Sequence, residues 1–133
     1  MTRWRITSNE NCVTLHAELY APIFNVAVER TLPTPMPFKG LRRLAHQIRQ
    51  DVWRVCRSTR GFVPVVQVST DRQQTVIRAG GTLLTRSGHR ANLAEQIARV
   101  LDRAENRARW IAHARRAGDG EGHVRQDPDR KSG

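Results

Sequence analysis

The chain is poor in cysteine, in acidic residues and in long apolar runs. Its only cysteines among 133 residues, Cys12 and Cys56, lie far apart inside apolar patterns. This predicts two reduced core thiols and argues against a disulfide scaffold. Neither cysteine has a partner at CxxC or CxxH spacing, and the five histidines are scattered, so we expect no metal site. No apolar run approaches the roughly 18 residues of a membrane span, so no membrane partner is expected.

The size and the ends of the sequence indicate one domain followed by a tail. A chain of 133 residues can bury a core without disulfides. The first five residues lack the apolar stretch of a secretory signal, which predicts a cytoplasmic protein. Residues 117–133 combine glycine and charge with almost no apolar side chains. We therefore expect a single α+β domain at 1–116 and a disordered polar tail at 117–133.

Positive charge is the most informative chemical feature of the sequence. There are 23 Lys and Arg against 12 Asp and Glu, and 21 of the cations are arginine. Residues 1–116 hold 20 of the cations and only 8 of the acids. Such an excess favours a polyanion, and the planar guanidinium suits phosphate and base contacts. A GC-rich genome also raises arginine over lysine, but that bias does not explain the excess of cations over acids.

Alternation of apolar and polar residues predicts the first strands. Runs at 3–7 and 12–19 flank the turn sequence Ser8-Asn9-Glu10-Asn11 and indicate a hairpin, and a third run follows at 24–28. We expect these three strands in meander order. The alternating prolines of residues 31–38 exclude a helix there and predict a stiff connector.

Helical periodicity predicts two long helices separated by further strands. An apolar stripe marks a helix from 39 to about 58, residues 62–68 and 74–79 indicate strands, and 82–85 a short strand or loop after a bend or bulge at Gly80-Gly81. An alanine-rich stripe over 90–115 predicts the second helix. The expected fold is α+β: an antiparallel sheet of five or six strands with both helices on one face, in the order β-β-β-α-β-β-(β)-α.

The first predicted helix carries five arginines against one acid, Asp51. The candidate binding residues on it are Arg43, Arg49, Trp53, Arg54 and Arg57. A tryptophan that lies among cations and outside the apolar stripe suits stacking on nucleic-acid bases. The alternative is a solvated outer face whose tryptophan covers the edge of the core.

The second predicted helix carries Arg99, Arg103 and Arg107 at successive four-residue steps, followed by Trp110. Such a column would be about 12 Å long and could follow the phosphates of one strand. Glu95 precedes Arg99 by four residues, so pairing on a solvated surface is the alternative interpretation.

Two further basic groups are weaker candidates. Arg86 and Arg90 flank Ser87-Gly88 before the second helix, where exposed amides could hold an anion or serve only as an ordinary cap. Arginines of the predicted strands and their turn, namely Arg3, Arg5, Arg72 and Arg78, could make the free face of the sheet the binding surface instead.

The sequence shows no catalytic pattern. Carboxylates are sparse, and neither a nucleophile with a base nor a metal cluster stands out, so we expect no catalytic residue, no metal and no cofactor. A metal-free ribonuclease using His16, His46 or His89 with an arginine is a minor hypothesis.

The leading hypothesis is a non-enzymatic nucleic-acid-binding protein. Helix arginines would contact phosphates, DNA is slightly favoured over RNA, and single strands would gain most from the tryptophans. The alternative is a protein-interaction adaptor or inhibitor, of a phage-like or mobile-element system, that docks an acidic protein partner. A homodimer through an edge strand or the alanine face stays open.

Overall fold

The computed structural model describes residues 3–84 and 89–125, with the side chains of 3–84 and 90–117. The elements are β1 (Trp4–Asn9), β2 (Cys12–Ala17), β3 (Val26–Leu32), α1 (Phe38–Cys56), β4 (Phe62–Thr70), β5 (Thr75–Leu83), α2 (His89–Asp102) and α3 (Ala104–Arg125).

The five strands form one antiparallel sheet in the order β1-β2-β4-β5-β3. Leu15 of β2 lies opposite Val66 of β4, Val66 opposite Ala79 of β5, and Ala79 opposite Val28 of β3. All four side chains are buried, because strand pairing in this register puts every second residue on one face. The α+β fold class predicted from the sequence is confirmed.

Helices α1 and α2 pack on that apolar face. The stripe of α1 contributes Leu41, Leu44 and Ile48, all fully buried, and packs on β2 and β4. The stripe of α2 buries Leu93 and Ile97 and packs on β3 and β5. Helix α3 packs mainly on α1, so it forms a further layer over the helices.

The predicted meander of the first three strands is wrong. Strand β3 pairs with β5 at the far edge of the sheet, and β2 pairs with β4. The connection at residues 18–25 is long enough to cross the three strand spacings of roughly 14 Å between β2 and β3. Asn25 anchors the end of this connection to β5. Its side-chain amide accepts a hydrogen bond from Leu83 N at 2.8 Å and donates one to Leu83 O at 3.1 Å.

The prediction of one continuous helix over 90–115 is wrong, because the helix is interrupted at one residue. Arg103 separates α2 from α3. The carbonyls at the end of α2 accept side-chain donors from α3: Asn106 Nδ2 donates to Val100 O at 3.0 Å and Arg107 Nε to Leu101 O at 2.6 Å. In a continuous helix, backbone N–H groups would have bonded these two carbonyl oxygens. The side-chain bonds replace them and allow α3 to turn onto α1.

Two remaining expectations concern the second half of the chain. Residues 82 and 83 belong to β5 and form no separate strand. Helix α3 ends at Arg125, inside the segment 117–133 for which the sequence predicts disorder, and residues 126–133 lie outside the described part of the chain. No helix among the described residues is long and apolar enough to cross a membrane.

Gly80 and Gly81 let three strands approach one another at the centre of the sheet. Gly81 has a φ of 140°, and a β-carbon there would collide with the carbonyl oxygen of Val63. A β-carbon at Gly80 would collide with the carbonyl oxygen of Val26. Side chains are therefore excluded at both positions by neighbouring backbone, which cannot move without breaking the sheet.

We expect Gly81→Ala to lower the free energy of unfolding by about 2–4 kcal/mol, since both the backbone angle and the contact with Val63 become unfavourable. Urea unfolding followed by circular dichroism measures this loss. Val76→Ala, at a half-buried position on the same strand, is the control and should cost less than half as much. A Gly81→Ala protein as stable as the control would contradict the packing described.

Candidate nucleic-acid interface

Asp51 lies at the contact between α1 and α3. Its carboxylate is buried and accepts a hydrogen bond from Trp110 Nε1 at 2.7 Å. Arg109 donates to the same oxygen, and Arg54 donates to the other at 3.3 Å. A buried carboxylate is tolerated when it is paired and hydrogen-bonded in this way. The only acid of α1 is therefore occupied on the side of the helix that faces α3.

The solvent-facing side of α1 and its flanks form a basic face. It consists of Lys39, Arg42, Arg43, Arg49, Arg54 and Arg57, of which all but the half-buried Arg49 are exposed. From Lys39 to Arg57 the face is about 27 Å long at the rise of an α-helix. Arg43 and Arg57 make no ion pair with any acid whose side chain the structure describes. The face therefore presents cations without exposed acids between them.

His46 lies among these cations. Burial lowers the pKa of His46, and the guanidinium groups of Arg49, Arg42 and Arg43 lower it further. A positive charge on the imidazole is disfavoured because like charges surround it. His46 is therefore expected to be neutral more readily than a free imidazole, in keeping with its position between the core and the cations of α1.

A groove between the helices extends the basic face toward α2. This interhelical groove has a volume of about 400 Å³ and is lined by Asp51, Arg54, Val55, Gln96, Arg99, Val100, Arg103 and Asn106. The fold thus brings Arg54 of the first predicted group together with Arg99 and Arg103 of the second. The two groups were separate in the sequence and share one groove in the structure.

The arginine column predicted on the second helix is largely paired and is not straight. Arg99 pairs with Glu95 at 3.1 Å, and Arg103 pairs with Glu105 at 3.6 Å. Arg107 is bound to the Leu101 carbonyl and to Asp102. Because the helix is interrupted at Arg103, Arg99 belongs to α2, Arg107 belongs to α3, and Arg103 lies between the two helices. Arg107 has a structural role at this break.

A second concave surface, the aromatic cleft, lies at the other side of α1. It has a volume of about 450 Å³. Its principal residues are Trp4, Tyr20, Arg49, Trp53, Phe62 and Leu84. Trp53 is 40% exposed, and the Arg49 guanidinium carbon lies 4.6 Å from the centre of the Trp4 ring. Such stacking of a guanidinium on an indole is a cation–π contact.

The other predicted site residues are placed differently. Trp110 is fully buried and bound to Asp51, so it is not accessible for stacking and we leave it out of the interface. Arg90 is exposed at the start of α2, and Arg86 lies outside the described residues together with the rest of the predicted anion site at 85–88.

The free face of the sheet is a less continuous basic surface. Arg5 is paired with Glu18 at 3.1 Å, and Arg78 stacks on Phe24 with its guanidinium carbon 4.7 Å from the ring centre. His16 is buried there, and its Nδ1 lies 3.0 Å from Tyr20 O, so the β2–β3 connection occupies part of this face. The helix side of the molecule carries the larger group of cations.

The geometry gives little support for a histidine ribonuclease. His16 faces away from the helices by the register of β2, whereas His46 is on α1 at the opposite side of the sheet. The side chain of His89 lies outside the described ones. Within the described part of the chain, no three His, Cys, Asp or Glu side chains come together in a way that could hold a metal.

Sequence reasoning missed Trp4 and Arg109. The alternation of β1 places Trp4 on the apolar side of the strand but does not predict its contact with Arg49, which joins residues 45 positions apart. Arg109 binds Asp51 across the α1–α3 contact. The available signal for Trp4 was its position between two arginines, in the sequence Arg3-Trp4-Arg5. Its partner, Arg49, could not be predicted from local spacing.

Comparison of the chain with protein-family models, with curated proteins and with solved structures gives no match. Its function is therefore argued from the geometry described above.

Asp51→Ala should destabilise the protein by about 2–4 kcal/mol, because Trp110 and Arg109 would lose a shared buried acceptor. Asp51→Asn keeps a carbonyl oxygen for Trp110 and should cost less. Glu95→Gln removes an exposed carboxylate and serves as the control, with an expected loss of less than about 1 kcal/mol. Chemical denaturation measures all three. Equal losses for Asp51→Ala and Glu95→Gln would show that the buried carboxylate does not stabilise the helix packing.

Proposed function

We propose that this protein is a non-enzymatic nucleic-acid-binding protein whose main contact surface is the basic face of α1. One observation carries the proposal: six cations lie on the outer side of α1 and its flanks, while the single acid of the helix is buried against α3. A row of cations of this length favours a polyanion, since each phosphate contact releases condensed counterions.

The surroundings of this face support a nucleic acid over a smaller anion. The interhelical groove adds Arg99 and Arg103 on one side, and the aromatic cleft adds Trp53 on the other. A surface about 27 Å long could contact several consecutive phosphates of one strand. The amide side chain of Gln96 lines the groove and can donate to phosphate or sugar oxygens, whereas the amide of Asn106 is already bound to Val100 O.

Binding should depend strongly on salt and only modestly on sequence. The sequence carries no helix-turn-helix, zinc-finger or RNA-recognition signature, so we expect phosphate contacts to supply most of the affinity. DNA is slightly favoured over RNA. Single strands are favoured over duplexes, because exposed aromatic rings can stack only on unpaired bases.

We expect the wild-type protein to bind mixed-sequence 20-nucleotide DNA and RNA with affinity that falls steeply between 50 and 200 mM salt. In the double variant Arg43→Gln/Arg57→Gln, affinity should fall about ten-fold and the slope of log K against log salt should become shallower by about 1.4 for single strands. Fluorescence anisotropy of labelled oligonucleotides measures both quantities.

The matched control is Arg3→Gln/Arg78→Gln, which removes the same charge from the opposite face of the sheet. It should keep nearly wild-type affinity and slope. If the control loses as much affinity as the α1 variant, the effect is one of net charge and the basic face is not the interface. Wild-type protein without salt-dependent affinity for any oligonucleotide would overturn the proposed function.

A protein partner is the second candidate function, favoured by exposed apolar side chains beside the cleft. Leu19 and Ile23 of the β2–β3 connection are 89% and 59% exposed, and Leu84 is 59% exposed. Apolar groups of this kind next to a basic surface would suit an acidic partner protein, as in an adaptor or inhibitor. In that case the α1 variant would weaken capture of the partner without any intrinsic affinity for oligonucleotides.

A further inference from the structure

Arg49 is the one cation of the basic face of α1 that is half-buried. Its Nε is buried, and no described residue accepts a hydrogen bond from it. No described acid lies within ion-pair distance of its guanidinium group. Burial lowers the pKa of Arg49, in keeping with a cation that is held in place without a counter-charge. A buried donor without an acceptor is costly, and an anion bound at the guanidinium group would supply the missing counter-charge.

The fold holds this cation rigidly at the wall of the aromatic cleft. Arg49 stacks on Trp4 of the edge strand β1, so strand and helix together set the position of the guanidinium plane. Stacking uses the face of the guanidinium group and leaves the N–H donors at its edge for an acceptor. The cleft therefore contains a preoriented cation beside two indole rings.

Trp53 follows Arg49 by four residues on the same side of α1, and it lines the same cleft. Its ring is 40% exposed, whereas Trp110, the tryptophan of α3, is fully buried. The cleft floor is apolar, with Phe62 and Pro64 of β4. Its volume of about 450 Å³ is within the range of small-molecule sites, which run from roughly 300 to 1,000 Å³.

We infer that the aromatic cleft takes one unstacked nucleotide of a single-stranded nucleic acid, with its base against Trp53 and its phosphate at Arg49. This inference rests on the proposed function and assigns a separate role to one part of the surface. The basic face binds the backbone, and the cleft distinguishes a strand whose bases are free from a duplex whose bases are stacked and paired. An apolar peptide would satisfy the cleft walls but would leave Arg49 without an anion.

The test compares two probes that carry the same phosphates: a 12-nucleotide single strand of thymidines and a 12-unit abasic strand. The wild-type protein should bind the base-bearing strand about ten-fold more tightly than the abasic strand, as expected for one stacked base. Trp53→Ala should reduce this ratio to near one and leave the salt slope unchanged. Trp53→Phe should retain much of the ratio.

Phe38→Ala is the matched control, because Phe38 is also on α1 and is 41% exposed but lies outside the cleft. It should keep the wild-type ratio. Arg49→Gln should weaken both probes and reduce the salt slope. Circular dichroism verifies that each variant folds, and titration of the tryptophan fluorescence in wild type and Trp53→Phe shows whether Trp53 contacts the strand.

Two results would overturn the inference while leaving the proposed function intact: equal affinity of wild type for base-bearing and abasic strands, or an unchanged ratio in Trp53→Ala. Failure of the proposed function looks different, because neither probe would then bind with a dependence on salt. A ratio that falls equally in Trp53→Ala and Phe38→Ala would also reject the cleft as the site of base recognition.

Discussion

The buried carboxylate of Asp51 is the contact on which both the helix packing and the surface charge depend. It accepts the indole N–H of Trp110 and pairs with Arg109, so it fastens α3 to α1. The same contact removes the only acid of α1 from the solvent. The carboxylate points toward α3 and is shared by Trp110, Arg109 and Arg54, so no exposed acid of α1 lies among the other cations of the basic face.

The positions of the three concave or charged surfaces follow from this arrangement. Helix α1 lies on the sheet with its apolar stripe, and α3 covers one flank. The other flank meets β1, where Trp4 and Arg49 stack. The basic face is therefore bordered by a groove with further arginines on the α2 side and by aromatic rings on the β1 side. This order, of cations between polar and aromatic borders, suits the proposed binding of a single polynucleotide strand.

Local patterns predicted most elements, and tertiary contacts decided the rest. Alternation located the β1–β2 hairpin, helical periodicity located α1, and a continuous apolar run located β4, whose first five residues are buried on both faces of the sheet. The pairing of β3 with β5 was not predictable from alternation, since the connection at 18–25 permits either neighbour. The break at Arg103 depends on Asn106 and Arg107 bonding back to carbonyls of α2, which periodicity does not encode. That break also restarts the helical face, so Trp110 points to α1. The sequence predicted Trp53 and the arginines of α1 as members of the candidate site. The place of Trp4 in the site is visible only in the tertiary structure, where it stacks on Arg49.

The most direct measurement of the central claim is the ionisation of His46 with and without a bound oligonucleotide. Burial lowers the pKa of His46, and the guanidinium groups of Arg49, Arg42 and Arg43 lower it further. Phosphates bound to the basic face would offset those charges, and the pKa of His46 should then rise. An NMR titration of the imidazole resonances reports this, with the signals of His16, on the opposite side of the sheet, as an internal reference. A pKa of His46 that is unchanged at saturating oligonucleotide would show that the phosphates lie elsewhere and would contradict the account.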